Sequence, residues 1–206
     1  MNILIAGVGG QGTVLLARLI ADMALAHGAV VRGSETIGMA QRGGSVVSHV
    51  RIGEMAYSPL IPAGEADVLL AFEPREAIRA LGYFRPGGAL AVCDRQLAGA
   101  VPAALRAARA PQGRDGSRSG AGEPPPPPSP PLEVLKARVS NITVLSFDKV
   151  LQSCGNTKPL NMALLGVAIA AGLLPFTLDN AKSALRGRVP VRFWELNETA
   201  LTCAAD

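Results

Sequence analysis

The chain has 206 residues, a length that suits one domain, or one domain carrying an insertion. Hydrophobic residues make up 49% and charged residues 17% of it, which excludes disorder of the whole chain and predicts a packed core. The longest apolar run, residues 162–174, is too short to span a bilayer, which takes roughly 18 residues, so no transmembrane helix is predicted. The N-terminus lacks the basic start of a signal peptide, and we expect a cytoplasmic protein.

The charge balance and the cysteine positions restrict the possible partners and metals. Cys93, Cys154 and Cys203 lie far apart with no Cys-x-x-Cys pair, which excludes an iron-sulfur or zinc site built from a local motif. The net charge of +4 is a mild excess, and two histidines with 4% aromatic residues leave little material for base stacking. We therefore expect no bound metal on this chain, no nucleic-acid partner and no membrane association.

The first 31 residues predict a strand, a glycine turn, a helix and a second strand. Residues 2–6 are apolar, and apolar side chains then recur at helical spacing up to Leu25. His27 and Gly28 give a helix stop signal, so residues 29–31 are predicted as the second strand. These elements form a βαβ unit.

The following segment predicts an antiparallel extension and then more parallel strands. Residues 45–52 alternate and are β-branched, Gly53 and Glu54 suit a turn, and residues 55–57 are expected to pair back as a hairpin. Residues 67–72 and 89–93 have the composition of buried parallel strands and flank a predicted helix at residues 74–81.

Composition changes sharply at residues 111–131, where 15 of 21 residues are Pro, Gly or Ser. Such a segment has too little apolar surface to offset the loss of chain entropy. We interpret residues 111–131 as a disordered insertion in a surface loop. A PxxP ligand for another domain is the alternative.

The remaining residues predict helices around one more strand. A short helix is expected at residues 132–138, a strand at 142–147, and a central apolar helix at 159–173. Thr177 is a good N-cap for a helix that continues to Arg186, and residues 193–203 suit a closing helix. The prediction is therefore a single α/β domain over residues 1–206: three-layered, Rossmann-like, with a mostly parallel sheet, a β-hairpin extension and C-terminal helices.

The sequence Gly7-Val8-Gly9-Gly10-Gln11-Gly12 matches G-x-G-x-x-G between the first strand and the first helix. Glycines there let the backbone approach a ligand, and the helix start attracts phosphate or carboxylate. The alternative is a purely structural turn. NAD binding would need an acid at the end of the second strand, where Arg32 stands and Glu35 comes slightly late, so NADP remains open.

A second glycine-rich stretch, residues 33–53, contains Gln41-Arg42-Gly43-Gly44 before the 45–52 strand. The guanidinium of Arg42 suits bidentate binding of phosphate or carboxylate beside open turn amides. A surface turn is the alternative. We expect both glycine segments to emerge at one edge of the sheet and to share one crevice.

These residues carry a family resemblance. Gly-Val-Gly-Gly-Gln-Gly, followed by Glu-Thr-Ile-Gly-Met-Ala-Gln-Arg-Gly-Gly-Ser-Val-Val-Ser-His-Val-Arg-Ile-Gly, resembles the gamma domain of 2-oxoacid:ferredoxin oxidoreductases. The stretches Tyr-Ser-Pro-Leu-Ile-Pro, Ala-Phe-Glu-Pro and Asn-Thr-Lys-Pro-Leu-Asn-Met look most like the beta-subunit type of indolepyruvate oxidoreductase. The resemblance covers nearly the whole chain outside the proline-rich segment. Ala40 departs from it, since serine is common at that position in the family.

The resemblance implies a subunit of an oxidoreductase complex that decarboxylates aryl-2-oxo acids, reduces ferredoxin and forms an aryl-acetyl thioester of coenzyme A. It implies that thiamine diphosphate and iron-sulfur clusters are held by a larger partner subunit, while this chain completes the active-site cleft or the coenzyme A site. We therefore expect cofactor contacts, and assign no catalytic residue. The predicted contacts are Gly7, Gly9, Gly10, Gln11, Gly12, Gln41, Arg42, Gly43 and Gly44. A stand-alone NADP-dependent oxidoreductase and a non-catalytic scaffold subunit are the alternatives.

Overall fold

The structure is a computed structural model, and it describes residues 1–35, 44–54, 56–95 and 130–203. Three predicted site residues, Gln41, Arg42 and Gly43, lie outside the described residues. The predicted insertion at 111–131 lies outside them as well, except for Pro130 and Pro131.

Six strands and seven α-helices are present in the described part of the chain. The first half contains β1 (Asn2–Val8), α1 (Thr13–Ala26), β2 (Val31–Glu35), β3 (Ser45–Ile52), β4 (Ala66–Ala71), α2 (Pro74–Ala80) and β5 (Phe84–Cys93). The second half contains α3 (Pro131–Arg138), β6 (Asn141–Leu145), α4 (Phe147–Cys154), α5 (Leu160–Ala170), α6 (Leu178–Arg188) and α7 (Trp194–Cys203).

The strands form one sheet in the order β2-β3-β1-β4-β5-β6. β1, β4, β5 and β6 are mutually parallel, whereas β3 runs antiparallel to both β1 and β2. The predicted α/β class with a mostly parallel sheet is confirmed.

Side chains alternate between the two faces of the sheet and make two cores. Ile3 and Ile5 of β1 face a core that also contains α1 and α5, while Leu4 and Ala6 face a core with α2 and α3. The sheet therefore lies between two helical layers, as expected for a three-layered fold.

Helix α5 is the central helix of the larger core, as its apolar sequence predicts. Ten of its 11 residues are buried. At Gly166, an added Cβ would lie 1.9 Å from the carbonyl oxygen of Leu201 in α7. The two helices approach so closely that only glycine fits at this position.

The antiparallel part of the sheet differs from the prediction. The second strand begins at Val31, and Ala29 and Val30 are outside it. β3 pairs with β1 and β2, whereas Ala56 and Tyr57 form no strand, so the expected hairpin with residues 55–57 is wrong in its described part. β1 and β2 run in the same direction but are not neighbours, because β3 lies between them. The antiparallel extension is therefore present, but β3 pairs with β1 and β2 rather than with residues 55–57.

The prediction also missed a helix after β6. The strand was expected to continue through Phe147, but it ends at Leu145 and Phe147 begins α4. Ser146 caps this helix by accepting a hydrogen bond from the Lys149 amide at 3.4 Å. Near the insertion, Pro131 begins α3, so the insertion's predicted end reaches one residue into a helix. Across the described residues, no helix is both long enough and apolar enough to cross a membrane.

Candidate functional site

The first glycine segment forms a tight turn between β1 and α1. The amide of Gln11 donates to the carbonyl of Val8 at 3.1 Å, and Gly12 caps α1 with φ +85°, a left-handed conformation that favours glycine. Gly7 is buried, and a Cβ there would lie 2.8 Å from Oε1 of Gln11. Gly10 is exposed at the tip. The backbone of the turn is therefore exposed at Gly10, whereas its first residue, Gly7, is closely packed.

The structure brings the second glycine segment against this turn. The amide of Gly9 donates to the carbonyl of Gly44 at 2.9 Å, and Val8 pairs with Ser45 in the antiparallel register of β1 and β3. β3 begins where β1 ends, so Gly44 lies at the carboxyl edge of β1. Gln41, Arg42 and Gly43 precede it directly in sequence, and their roles stay predictions.

Glu73, which the sequence analysis did not assign to the site, contacts the glycine turn. Nε2 of Gln11 donates to Oε1 of Glu73 at 2.5 Å, and Oε1 of Gln11 accepts from the Val8 amide at 2.7 Å. The Glu73 side chain is only 4% exposed and follows the carboxyl end of β4. Gln11 therefore has a structural role in holding the turn against β4.

A second buried carboxylate lies at the same edge of the sheet. Oε2 of Glu76 accepts a hydrogen bond from Oγ of Ser45 at 2.5 Å, and Oε1 pairs with Arg79 at 2.7 Å. Glu76 is 4% exposed. This network fixes the start of β3 against α2, and Arg79 offsets the negative charge.

Asn161, also not predicted as a site residue, packs on the other side of the turn. An added Cβ at Gly12 would lie 2.7 Å from Nδ2 of Asn161. Oδ1 of Asn161 accepts from the Met162 amide at 3.0 Å, which fixes the orientation of the side-chain amide. Glycine is therefore needed at position 12 for two reasons: the positive φ angle favours it, and any side chain there would clash with Asn161.

The turn carries the donors that an anion site requires. Within the described part of the chain, no hydrogen bond satisfies the amides of Gly10 and Gly12. They lie at the positive end of the α1 dipole, which attracts phosphate or carboxylate. Glu73 and Glu76 place negative charge nearby, which disfavours binding of a strongly anionic ligand. The two amides are therefore suited to bind a single oxyanion group.

The geometry does not favour a dinucleotide site. Glu35 does end β2, but β3 separates β2 from β1, which places Glu35 level with Ile5 and about 10 Å from it across the sheet, short of the glycine turn after Val8. Glu35 pairs with Arg18 at 3.5 Å, and Arg32 donates from Nε to the carbonyl of Ala56 at 2.9 Å. Neither residue is placed to bind a ribose or its phosphate at the glycine turn.

The cysteines have the environments of structural thiols. Cys93 is completely buried at the end of β5, and burial raises its pKa to about 12. Burial, followed by the proximity of Cys203, raises the pKa of Cys154 to about 11. Both thiols are protonated at neutral pH and make poor nucleophiles. No cluster of three or more His, Cys, Asp or Glu suited to a metal ion occurs among the described residues.

Sequence comparison identifies the family. Residues 2–206 match the family described as pyruvate ferredoxin/flavodoxin oxidoreductase. The chain belongs to this family. Archaeal relatives named indolepyruvate oxidoreductase subunit IorB share 33% identity in Pyrococcus horikoshii and 34% in Methanothermobacter thermautotrophicus. These alignments cover 97% and 95% of this chain, and 91% of each relative. The resemblance inferred from the glycine motifs is confirmed.

Solved structures of family members have the same fold. The gamma subunit of a keto/oxoacid ferredoxin oxidoreductase from Geobacter sulfurreducens is 23% identical, with a TM-score of 0.60 over 99% of this chain and 95% of that one. The pyruvate oxidoreductase subunit PORC from Thermotoga maritima is 19% identical, with a TM-score of 0.62 over 100% of this chain and 94% of that one. At these identities the likeness concerns the fold.

Proposed function

We propose that this chain is the smaller subunit of an indolepyruvate-type 2-oxoacid:ferredoxin oxidoreductase. The complex oxidatively decarboxylates an aryl-2-oxo acid, transfers two electrons to ferredoxin and releases an aryl-acetyl thioester of coenzyme A. A larger partner subunit holds thiamine diphosphate and the iron-sulfur clusters. The supporting observation is the 31–34% identity to IorB subunits from four archaea over 95–98% of this chain.

The residues of this chain do not fit an iron-sulfur cluster. A cluster is usually held by four thiolates, and the chain has three cysteines, of which Cys93 is completely buried. The sequence also lacks the Gly-Asp-Gly motif expected at a thiamine diphosphate site. Both observations support placing these groups on the partner, where thiamine diphosphate supplies the carbanion chemistry of decarboxylation.

The contribution of this chain is to bind and orient. The turn from Gly9 to Gly12, exposed at Gly10 and fixed by Gly44 and by the Gln11–Glu73 bond, offers backbone donors to an oxyanion of coenzyme A or to a carboxylate across the subunit interface. Gln41, Arg42 and Gly43 directly precede Gly44 in sequence, and in the proposal the guanidinium of Arg42 adds a positive charge to these donors. In the proposal, these donors position the acyl acceptor beside the partner's cofactor.

Co-expression tests this function directly. The chain should co-purify with a larger subunit containing thiamine diphosphate and iron-sulfur clusters, and the complex should reduce ferredoxin with indolepyruvate and coenzyme A. Each subunit alone should be inactive. Complete oxidation of a 2-oxoacid by this chain alone, or saturable micromolar binding of NADP, would contradict the proposal.

A further inference from the structure

Two of the cysteines end helices that pack against each other. Cys154 is the last residue of α4, and Cys203 is the last residue of α7. The two helices are in direct contact, and one turn before each cysteine a fully buried residue, Val150 in α4 and Ala200 in α7, packs in the larger core. This packing fixes the carboxyl ends of the two helices relative to each other.

The packing brings the two thiols together. The thiol of Cys203 lies close enough to that of Cys154 for a side-chain hydrogen bond between them. It also donates to the carbonyl of Ala200 at 3.3 Å, which orients it on α7. Cys154 and Cys203 are both partly exposed, whereas Cys93 is completely buried. A small oxidant in solution can therefore reach this pair of thiols.

We propose that Cys154 and Cys203 form a reversible disulfide, so that the ends of α4 and α7 are a site of oxidative modification. The oxidant is a low-molecular-weight disulfide, of which oxidised glutathione is the probe used below. The inference is independent of the proposed function, because neither thiol belongs to the glycine turn or to its hydrogen-bond network.

The reaction is thiol–disulfide exchange in two steps. The Cys203 thiolate attacks one sulfur of oxidised glutathione, whose S–S bond breaks and releases one glutathione. The Cys154 thiolate then attacks Sγ of Cys203, the mixed S–S bond breaks, and the second glutathione leaves. The two protein thiols lose two electrons and two protons, which the two glutathione molecules take up. Excess reduced glutathione reverses both steps.

The environment of Cys154 suits the second step. Burial, followed by the proximity of Cys203, raises the pKa of the Cys154 thiol to about 11, so little of it is thiolate at neutral pH. Its attack on Sγ of Cys203 is nevertheless intramolecular, and such an attack competes well with that of a second glutathione from solution. The internal disulfide should therefore accumulate rather than the mixed one.

Oxidation of the purified full-length chain with oxidised glutathione, followed by alkylation and mass spectrometry, tests the site. The mass of the wild type should fall by that of two hydrogen atoms, and the peptides containing Cys154 and Cys203 should be linked. The midpoint of thermal unfolding should rise by roughly 5–15 °C, because the bond closes the loop of residues 154–203 in the unfolded chain. Dithiothreitol should reverse both changes.

A residue swap supplies the matched control. Ser153→Cys combined with Cys154→Ser keeps the amino-acid composition and all three thiols, but it moves one thiol to the exposed neighbouring position on α4. The swap and the single change Cys203→Ser should each retain mixed glutathione disulfides. Neither variant should gain thermal stability on oxidation.

Several results would overturn the proposal. Persistent mixed disulfides on the wild type, a link that includes Cys93, or no reaction of either thiol would each do so. Equal internal linking in the swap variant would show that the native position of the Cys154 thiol is not what selects the pair. An unchanged or lower unfolding temperature of the linked wild type would show that the native packing does not accommodate the bond.

Discussion

Gln11 and Glu73, 62 positions apart in sequence, are joined by a hydrogen bond of 2.5 Å between Nε2 and Oε1. The other side-chain atom of Gln11, Oε1, accepts from the Val8 amide. A single side chain therefore connects the glycine turn after β1 with the carboxyl end of β4. The conformation of the turn depends on both of these bonds.

Gln11→Glu should destabilise the protein at neutral pH. It removes the donor and places two carboxylates in contact, which costs roughly 1–3 kcal/mol. Urea unfolding at pH 7 measures this. Gln152→Glu, at an exposed position in α4, is the control, and an equal effect of the two changes at pH 7 would contradict the prediction.

Gly12→Ala should cost more stability than Gly10→Ala. Both glycines have positive φ, +85° and +95°, so both changes introduce left-handed strain of about 1–2 kcal/mol. Only at Gly12 does the new methyl group also meet Asn161, which adds about 1–3 kcal/mol. Denaturant unfolding gives the free energy of unfolding of each variant, and the difference between the two is the cost of the contact with Asn161. Equal losses would show that the Asn161 contact relaxes freely.

Cys93 should resist alkylation in the folded protein. Its thiol is fully buried with a pKa of about 12, so iodoacetamide at pH 8 should modify the partly exposed Cys154 and Cys203 first. Mass spectrometry of peptides checks the order. In urea all three thiols should react, and modification of Cys93 before the others in the folded chain would contradict the assignment.

The same thiol predicts a pH dependence of stability. The folded pKa of Cys93 is raised above the unfolded value of about 8.5, so its contribution is complete below pH 8.5 and is lost as the pH rises toward 12. The slope is at most about 1.4 kcal/mol per pH unit. The free energy of unfolding of Cys93→Ala should therefore fall less steeply above pH 9 than that of wild type.

Arg42→Lys tests the predicted bidentate contact. Lysine keeps the charge but loses the planar pair of donors, so the Michaelis constant for coenzyme A should rise about 10-fold or more, or the subunits should bind more weakly. Arg42→Ala should have at least the same effect. If both reconstituted complexes match wild type in these constants and in turnover, Arg42 is a solvated turn residue.

Deletion of residues 111–129 should change stability little. Halving the length of a loop alters its closure entropy by only about 0.6 kcal/mol. Pro130 should be kept, because its carbonyl accepts the amides of Glu133 and Val134 at the start of α3. A longer deletion through Leu135, which is fully buried, is the destabilising comparison. Thermal unfolding, together with assembly with the partner, distinguishes a tolerated insertion from a binding segment.

The parallel strands and most helices could be predicted because their apolar residues follow the period of each element. The bounds of β2 could not, since Val-Arg-Gly-Ser-Glu is a polar edge strand without a hydrophobic face, and the apolar residues before it predicted the strand at 29–31. The partner of β3 was also misjudged, because a nearby turn signal favoured a local hairpin over pairing with β1. The short helix α4 was not predicted, because the apolar run before it indicated a strand that continues through Phe147.

The glycine turn of the site was predictable because turn glycines are local signals. Glu73 and Asn161 were not, although each begins or precedes a predicted helix. Their significance comes from contacts with Gln11 and Gly12 over long sequence separations. A single polar residue at an element boundary does not indicate which distant residue it will contact.

The late position of α5 in the chain has a consequence for biosynthesis. During translation, β1 to β4 and the glycine turn leave the ribosome well before residues 160–170, which pack against β5, β6 and α1. Until α5 docks, the apolar residues of these elements that lie in the larger core, such as Ala91 and Leu16, are incompletely covered, and Gly12 lacks its Asn161 neighbour. Translation at about 5–20 residues per second makes this interval several seconds long. The larger core can therefore be completed only after residues 160–170 have been synthesised.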